Sequence, residues 1–221
     1  MVDVTPQIDA VTRSLRTVEV DGAPTRIQTI GQEYPAGIDD VWEATTTAER
    51  IARWFLPVSG DLRLGGRYQL TGNAGGEVLS CTPPADGSAE YRVTWEFGGG
   101  VTWVTVRLTA VTEDSTRFEL EHSALVADVP AGMWETFGPG ATGVGWDQAL
   151  VGLALNLGGL DGAISPEEGE AWALSDDGKA FTRAVADRWA AAHVAAGADP
   201  EQAARNADAT YGFYTGQAPE S

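Results

Sequence analysis

The 221-residue sequence predicts an α+β domain: an antiparallel β-meander leading into one long helix, with a further helical segment at the C-terminal end. Three observations predict it. Tyr91, Val93, Trp95 and Phe97 alternate with Arg92, Thr94 and Glu96, and the same two-residue period returns at Val104, Val106 and Leu108 and at Phe118, Leu120 and His122. From Gly143 to Leu157 the period lengthens, with Trp146, Ala149, Leu150, Leu153 and Leu157 recurring at three and four. Beyond that, Ser165-Pro166-Glu167-Glu168 and Asp199-Pro200-Glu201 each carry a cap, a proline at the first helical position and acids in the first turn.

Taken in order, residues 1–12 read as a frayed lead. Arg16–Val20 and Thr25–Tyr34 read as strands around the turn Asp21-Gly22-Ala23-Pro24. Pro35-Ala36-Gly37 stops the second strand, and Ile38, Val41 and Trp42 start a short helix. Thr47 is expected to cap a second helical turn that ends on Trp54-Phe55. Arg67–Thr71 and Glu77–Cys81 are short strand candidates, and Pro83–Gly87 reads as a loop. Gly98-Gly99-Gly100 turns the chain inside the meander. Residues 126–142, with Met133, Trp134 and Phe137, form a connection long enough to carry function or a short helix. Gly158-Gly159 ends the long helix. In the final segment Phe181, Val185, Trp189 and Ala192 form a stripe.

Composition narrows the partners. Hydrophobic residues make up 43% of the chain, enough for a full core. The net charge of −18 repels phosphate backbones and anionic lipid, so neither nucleic acid nor a membrane is expected. Cys81 is the only cysteine, which rules out an intramolecular disulfide and a thiolate zinc cluster. No histidine or carboxylate pair stands at metal-ligand spacing, and the glycine clusters at 72–76 and 98–100 neither open a helix nor precede a lysine, so no metal and no cofactor are expected. The polar N-terminus has no apolar core of a signal peptide, and the location expected is cytoplasmic.

Several strings resemble those of a known family: Tyr34-Pro35-Ala36 with Val41-Trp42, Trp54-Phe55, Gly65-Gly66-Arg67-Tyr68, Tyr91-Arg92-Val93-Thr94-Trp95, Leu120-Glu121-His122 and Gly143-Val144-Gly145-Trp146. In that order the sequence resembles, over roughly residues 25–160, the bacterial proteins related to the activator of heat-shock-protein-90 ATPase, within the START-like (SRPBCC) superfamily. The resemblance implies a helix-grip fold, in which a curved antiparallel sheet of six or seven strands wraps around the long helix and leaves a cavity between them. The domain is placed at residues 13–162, with an α-helical extension over 163–221.

The candidate ligand-binding residues are Trp54, Phe55, Tyr68, Trp95, Phe118, Leu120, His122, Trp134, Trp146 and Leu150. The expected walls are Val93, Trp95, Val104, Val106, Phe118 and Leu120 with one face of the long helix. Gly143, Gly145 and Gly152 would leave room opposite the large rings. Trp103, by alternation, points away from that face. His122 shares a face with Phe118 and Leu120 and is the main polar candidate, either orienting a ligand or bonded within the core. Asp147 is expected in the first turn of the long helix, where the dipole favours an acid. His193 and Cys81 carry little functional weight.

Three functions are consistent with these residues. The first is binding of a small hydrophobic or aromatic ligand. The second is a co-chaperone-like interaction with a chaperone or another protein, which would use an exposed Phe181–Val185–Trp189 stripe. The third is a cyclase or hydrolase, which would need more polar groups in the cavity than His122. No catalytic residue is assigned, and monomer and homodimer are both open.

Overall fold

In the computed structural model, residues 4–160 and 166–217 are described. The β-meander is larger than expected. One sheet of eight strands runs in the order β1-β2-β8-β7-β6-β5-β4-β3, every neighbouring pair antiparallel. The strands are β1 (Thr12–Val20), β2 (Ala23–Tyr34), β3 (Val58–Gly60), β4 (Arg67–Leu70), β5 (Gly75–Ala85), β6 (Ser88–Phe97), β7 (Gly100–Thr112) and β8 (Ser115–Leu125). Strands β3 to β8 follow one another in sequence and in space. The β1–β2 hairpin closes the other edge by pairing β2 with β8.

The turns explain the hairpins. Asp21 and Gly22 (φ 51° and 78°) and Asp86 and Gly87 (φ 51° and 75°) both place two successive residues in the left-handed region. That geometry matches the twist of the flanking strands, and Asp-Gly supplies it at low steric cost. Pro83 and Pro84 therefore lie within β5 rather than in a loop. They are tolerated because β4 pairs only with Arg67–Gln69 against Gly75–Glu77, leaving the later part of β5 as an open edge where no ladder donor is needed.

Helices α2 (Ile38–Thr46) and α3 (Ala48–Ile51) occupy the connection from β2 to β3. Thr47 lies at the N-terminus of α3, but its hydroxyl donates back to the Glu43 carbonyl at 2.7 Å instead of capping α3. The long helix is α5 (Gly140–Asn156), preceded by α4 (Ala131–Phe137) in the 126–142 connection. The lead also holds structure: α1 (Thr5–Ala10) buries Gln7, whose amide exchanges hydrogen bonds with Gln32 at 2.6 and 2.9 Å.

After residue 165 come α6 (Pro166–Ala173), α7 (Asp176–Ala195) and α8 (Pro200–Thr215). Asp199 caps α8 by accepting from the Gln202 N–H at 2.8 Å. Ser165 and the boundary expected at 162–163 lie outside the described residues. The stripe of α7 faces inward, with Phe181, Val185 and Trp189 each 2% exposed or less, inside the same hydrophobic core as the sheet and α5. Among the described residues, no helix is long and apolar enough to cross a membrane.

Candidate functional site

The sheet and the helices do not close completely. A cavity of about 120 Å³ lies between β4–β8, the α2–β3 connection and α5. Strand alternation builds the sheet side. Tyr91, Val93 and Trp95 of β6, Val104 of β7, and Phe118 and Leu120 of β8 all point to one face. The opposite side comes from Thr45 and Thr46 at the end of α2, then Ile51, Trp54, Phe55, Val58 and Leu62. From α5 only Trp146 reaches the space.

One end is aromatic. Trp54 and Phe55 stack at 5.5 Å, Phe55 and Trp146 at 6.3 Å, and Trp95 lies 5.0 Å from Trp146. Their polar atoms are largely committed elsewhere. The Trp54 indole N–H donates to the Ala44 carbonyl at 2.8 Å, and that of Trp146 donates to His122 Nδ1 at 3.1 Å. An indole can only donate, so Nδ1 is the acceptor and the proton of neutral His122 sits on Nε2, which meets Thr102 Oγ1 at 2.8 Å. Thr102 passes its proton to the Trp95 carbonyl at 3.2 Å. Burial lowers the His122 pKa to about 4, which keeps the ring neutral.

The other end is polar but uncharged. Thr46 Oγ1 donates to the Trp42 carbonyl at 2.6 Å and Thr45 Oγ1 to the Val41 carbonyl at 3.0 Å. Burial pushes the pKa of the Tyr91 phenol up. Cys81 faces Tyr91 across the β5–β6 ladder. Tyr68, whose hydroxyl donates to the Thr94 carbonyl at 2.7 Å, completes this group.

Of the predicted candidates, Trp54, Phe55, Tyr68, Trp95, Phe118, Leu120 and Trp146 line the cavity. Three do not. His122 lies behind Trp95 and Trp146 with both nitrogens engaged. Leu150 is 1% exposed in the core and outside the wall. Trp134 sits on α4, with the Arg26 guanidinium 4.0 Å above its ring and the His193 ring at 5.4 Å. Of the expected wall, Val106 is buried but does not reach the space. Trp103 is on the outer face, with Arg92 at 6.0 Å from its ring.

The glycines of α5 do something other than enlarge the cavity. A Cβ at Gly143 would lie 2.4 Å from the Trp189 ring, one at Gly145 would lie 3.1 Å from the Tyr214 hydroxyl, and one at Gly152 would lie 2.2 Å from the Trp54 carbonyl. They admit α7, α8 and the chain after α3 to close approach. Asp147 is likewise not a first-turn acid, because α5 starts at Gly140. It is 1% exposed and accepts from Arg13 at 3.0 and 2.5 Å and from the Trp189 indole at 2.8 Å. Burial pushes its pKa up, while Arg13 and then Trp189 oppose the shift.

The lining missed by sequence reading includes Cys81, Val78, Thr45 and Thr46. A register shift between Val78 and Ser80 lets both Val78 and Cys81 face inward although they are three apart, so strict alternation misplaces one of them. Tyr91, by contrast, was accessible from its period with Val93 and Trp95. Among the described residues, no group of three or more His, Cys, Asp or Glu side chains is placed to hold a metal ion.

The model of the family described as activator of Hsp90 ATPase homolog 1-like protein matches residues 35–158, more than half of the chain. The chain belongs to this family. Every residue of the cavity wall, from Thr45 to Trp146, lies inside the matched segment, whereas α7 and α8 lie beyond it. Within the START-like superfamily, the solution structure of CalU16 from Micromonospora echinospora is 31% identical with a TM-score of 0.64, covering 85% of this chain and 97% of that one. The crystal structure of CalU16 is 35% identical with a TM-score of 0.55, over 74% and 96%. A protein of unknown function from Enterococcus faecalis shares the fold at 12% identity, with a TM-score of 0.54 over 82% and 92%. No curated protein gives a significant match. The Hsp90-activator-like segment thus carries the cavity, and the flanking β1 and α7 buttress it through Arg13, Asp147 and Trp189.

Proposed function

We propose that this chain binds a small hydrophobic or aromatic molecule in the cavity of a helix-grip domain spanning residues 13–162, with 163–221 as a supporting helical extension. The observation that carries the reading is a wall without a single charged side chain around a space of about 120 Å³, comparable to engineered apolar cavities that accept one ring. The test is capture of hydrophobic dyes and small aromatics, followed by native mass spectrometry. The paired substitutions Val93→Leu and Val104→Leu carry two methylenes into the space and weaken capture by about tenfold with the fold retained. Capture unchanged by these substitutions, or absent from the native chain, sinks the proposal.

A co-chaperone role, suggested by the family's description, would draw on an apolar stripe on α7. Phe181, Val185 and Trp189 are buried against α5 and β1, which reduces the surface available for it. A catalytic role would draw on His122, whose two nitrogens are occupied by Trp146 and Thr102. The ligand-binding reading is therefore preferred over both.

A further inference from the structure

We infer that Gly152 sets the size of the aromatic ligand that the cavity admits, acting as a positioning residue through the backbone of Trp54 rather than by touching the ligand. The inference rests on the cavity being a ligand site. The wall opposite the sheet is largely a strap of chain between α3 and β3, whose Trp54 and Phe55 rings form the aromatic end. Phe55 stacks on Trp146, which stands about 9 Å along α5 from Gly152. At Gly152 the strap meets the helix itself. A Cβ there would lie 2.2 Å from the Trp54 carbonyl oxygen and 3.2 Å from its carbon. The Trp54 indole N–H ties the same residue to the Ala44 carbonyl of α2 at 2.8 Å. The strap is thus seated on α5 at one glycine, and that seat fixes how far the two rings stand from the sheet.

A methyl at residue 152 needs about 1 Å more room to reach an ordinary van der Waals contact. The helix does not supply it. Leu150, Val151 and Leu153 are buried in the core, and Asp147 is tied to Arg13 and Trp189. The strap does. It joins no ladder before β3, which has three residues and pairs only with β4, and its Arg53 and Pro57 are exposed. It therefore moves away from α5 and carries Trp54 and Phe55 with it, which widens the cavity. Alanine is also a better helix former than glycine, so α5 tolerates the change. Gly143 provides a control within the same helix. A Cβ there would meet a ring at 2.4 Å, but that ring is Trp189, which is not part of the cavity wall.

The test is titration of the full chain with two neutral aromatics, toluene with one ring and N-phenyl-1-naphthylamine with three. The native chain binds toluene and takes the larger probe poorly, because a space of about 120 Å³ holds one ring. In Gly152→Ala the affinity ratio of the larger probe to the smaller rises about tenfold, whereas in Gly143→Ala it keeps its native value. A purely structural role for Gly152 would lower stability in both variants and move the ratio in neither. Pro57→Gly loosens the strap from outside the wall and keeps the Pro57 carbonyl that accepts from the Thr71 N–H. It raises the ratio by about threefold and decides the matter if Gly152→Ala does not fold. An unchanged ratio in Gly152→Ala, or in Pro57→Gly where the first variant is unfolded, overturns the role of Gly152 and leaves the ligand-site reading standing. So does an equal rise in Gly143→Ala. Binding of neither probe by the native chain overturns both.

Discussion

Two neighbouring residues of α5, Trp146 and Asp147, belong to opposite kinds of packing. Trp146 faces the sheet, where rings from β6, the segment after α3 and α5 meet without filling the space. Asp147 faces β1 and α7, where Arg13 and Trp189 satisfy a buried carboxylate and Gly143 lets the Trp189 ring lie against the helix backbone. On the second side Gly143 lies beside the large Trp189 ring, and that side is closed. On the first side no glycine of α5 faces the cavity, and the space persists because the only α5 side chain reaching it is Trp146. Volume removed from one element becomes a cavity only when no neighbour moves in to occupy it.

The largest effect expected from breaking this contrast is at Asp147. Asp147→Ala strands the Arg13 guanidinium, whose side chain is 5% exposed, and leaves the Trp189 N–H without its acceptor. Removing one partner of a buried pair costs about 3–5 kcal/mol. Urea unfolding should show a loss of that size, and a loss under about 1 kcal/mol would mean that the pair is not the tie between α5, β1 and α7.

The next effect belongs to His122, behind the aromatic end. Its pKa is about 4 in the folded chain and about 6.5 when unfolded. The unfolded state therefore takes up the proton first as pH falls. The stability tied to neutral His122 is intact above about pH 6.5 and is lost progressively down to pH 4, by about 3 kcal/mol in total. In His122→Gln this part of the pH dependence disappears. Parallel stability profiles for the two proteins between pH 7 and 4 would contradict the buried neutral imidazole.

The smallest effect is expected at Gly143. Gly143→Ala drives a methyl into the Trp189 ring and should cost about 1–3 kcal/mol by overpacking, with Trp146 and aromatic binding in the cavity unaffected. Thermal unfolding together with a binding titration separates the two sides of the helix. If the substitution alters binding as strongly as stability, the two sides are coupled.

The helix-grip order, the inward faces of β6 to β8 and most of the aromatic wall were legible in the sequence, because a period of two allows only one face per residue class. His122 was legible as inward-facing, but its partners were not. Thr102 lies on a different strand and Trp146 on a helix, and no local pattern links them to residue 122. Trp134 and Leu150 were drawn into the candidate site by residue type, yet α4 docks Trp134 beside Arg26 and His193, and Leu150 points into the core. Thr45 and Thr46 went unnoticed because small polar residues carry no hydrophobic signal, and Cys81 was given little weight because a register shift disguises its facing.

The sequence by itself determined the α+β class, the strand periods, the Asp-Gly turns, the long helix and the uncharged character of the strand faces turned to the cavity. Those are local properties, set by backbone sterics and by alternation between apolar and polar residues. Tertiary structure alone decided that the α5 glycines receive Trp189, Tyr214 and the Trp54 backbone, that Asp147 is an interior anchor, and that the hydroxyls of Thr45 and Thr46 are already spent. Each of these depends on which distant group arrives at a given face, and contacts across the chain have no period to be read.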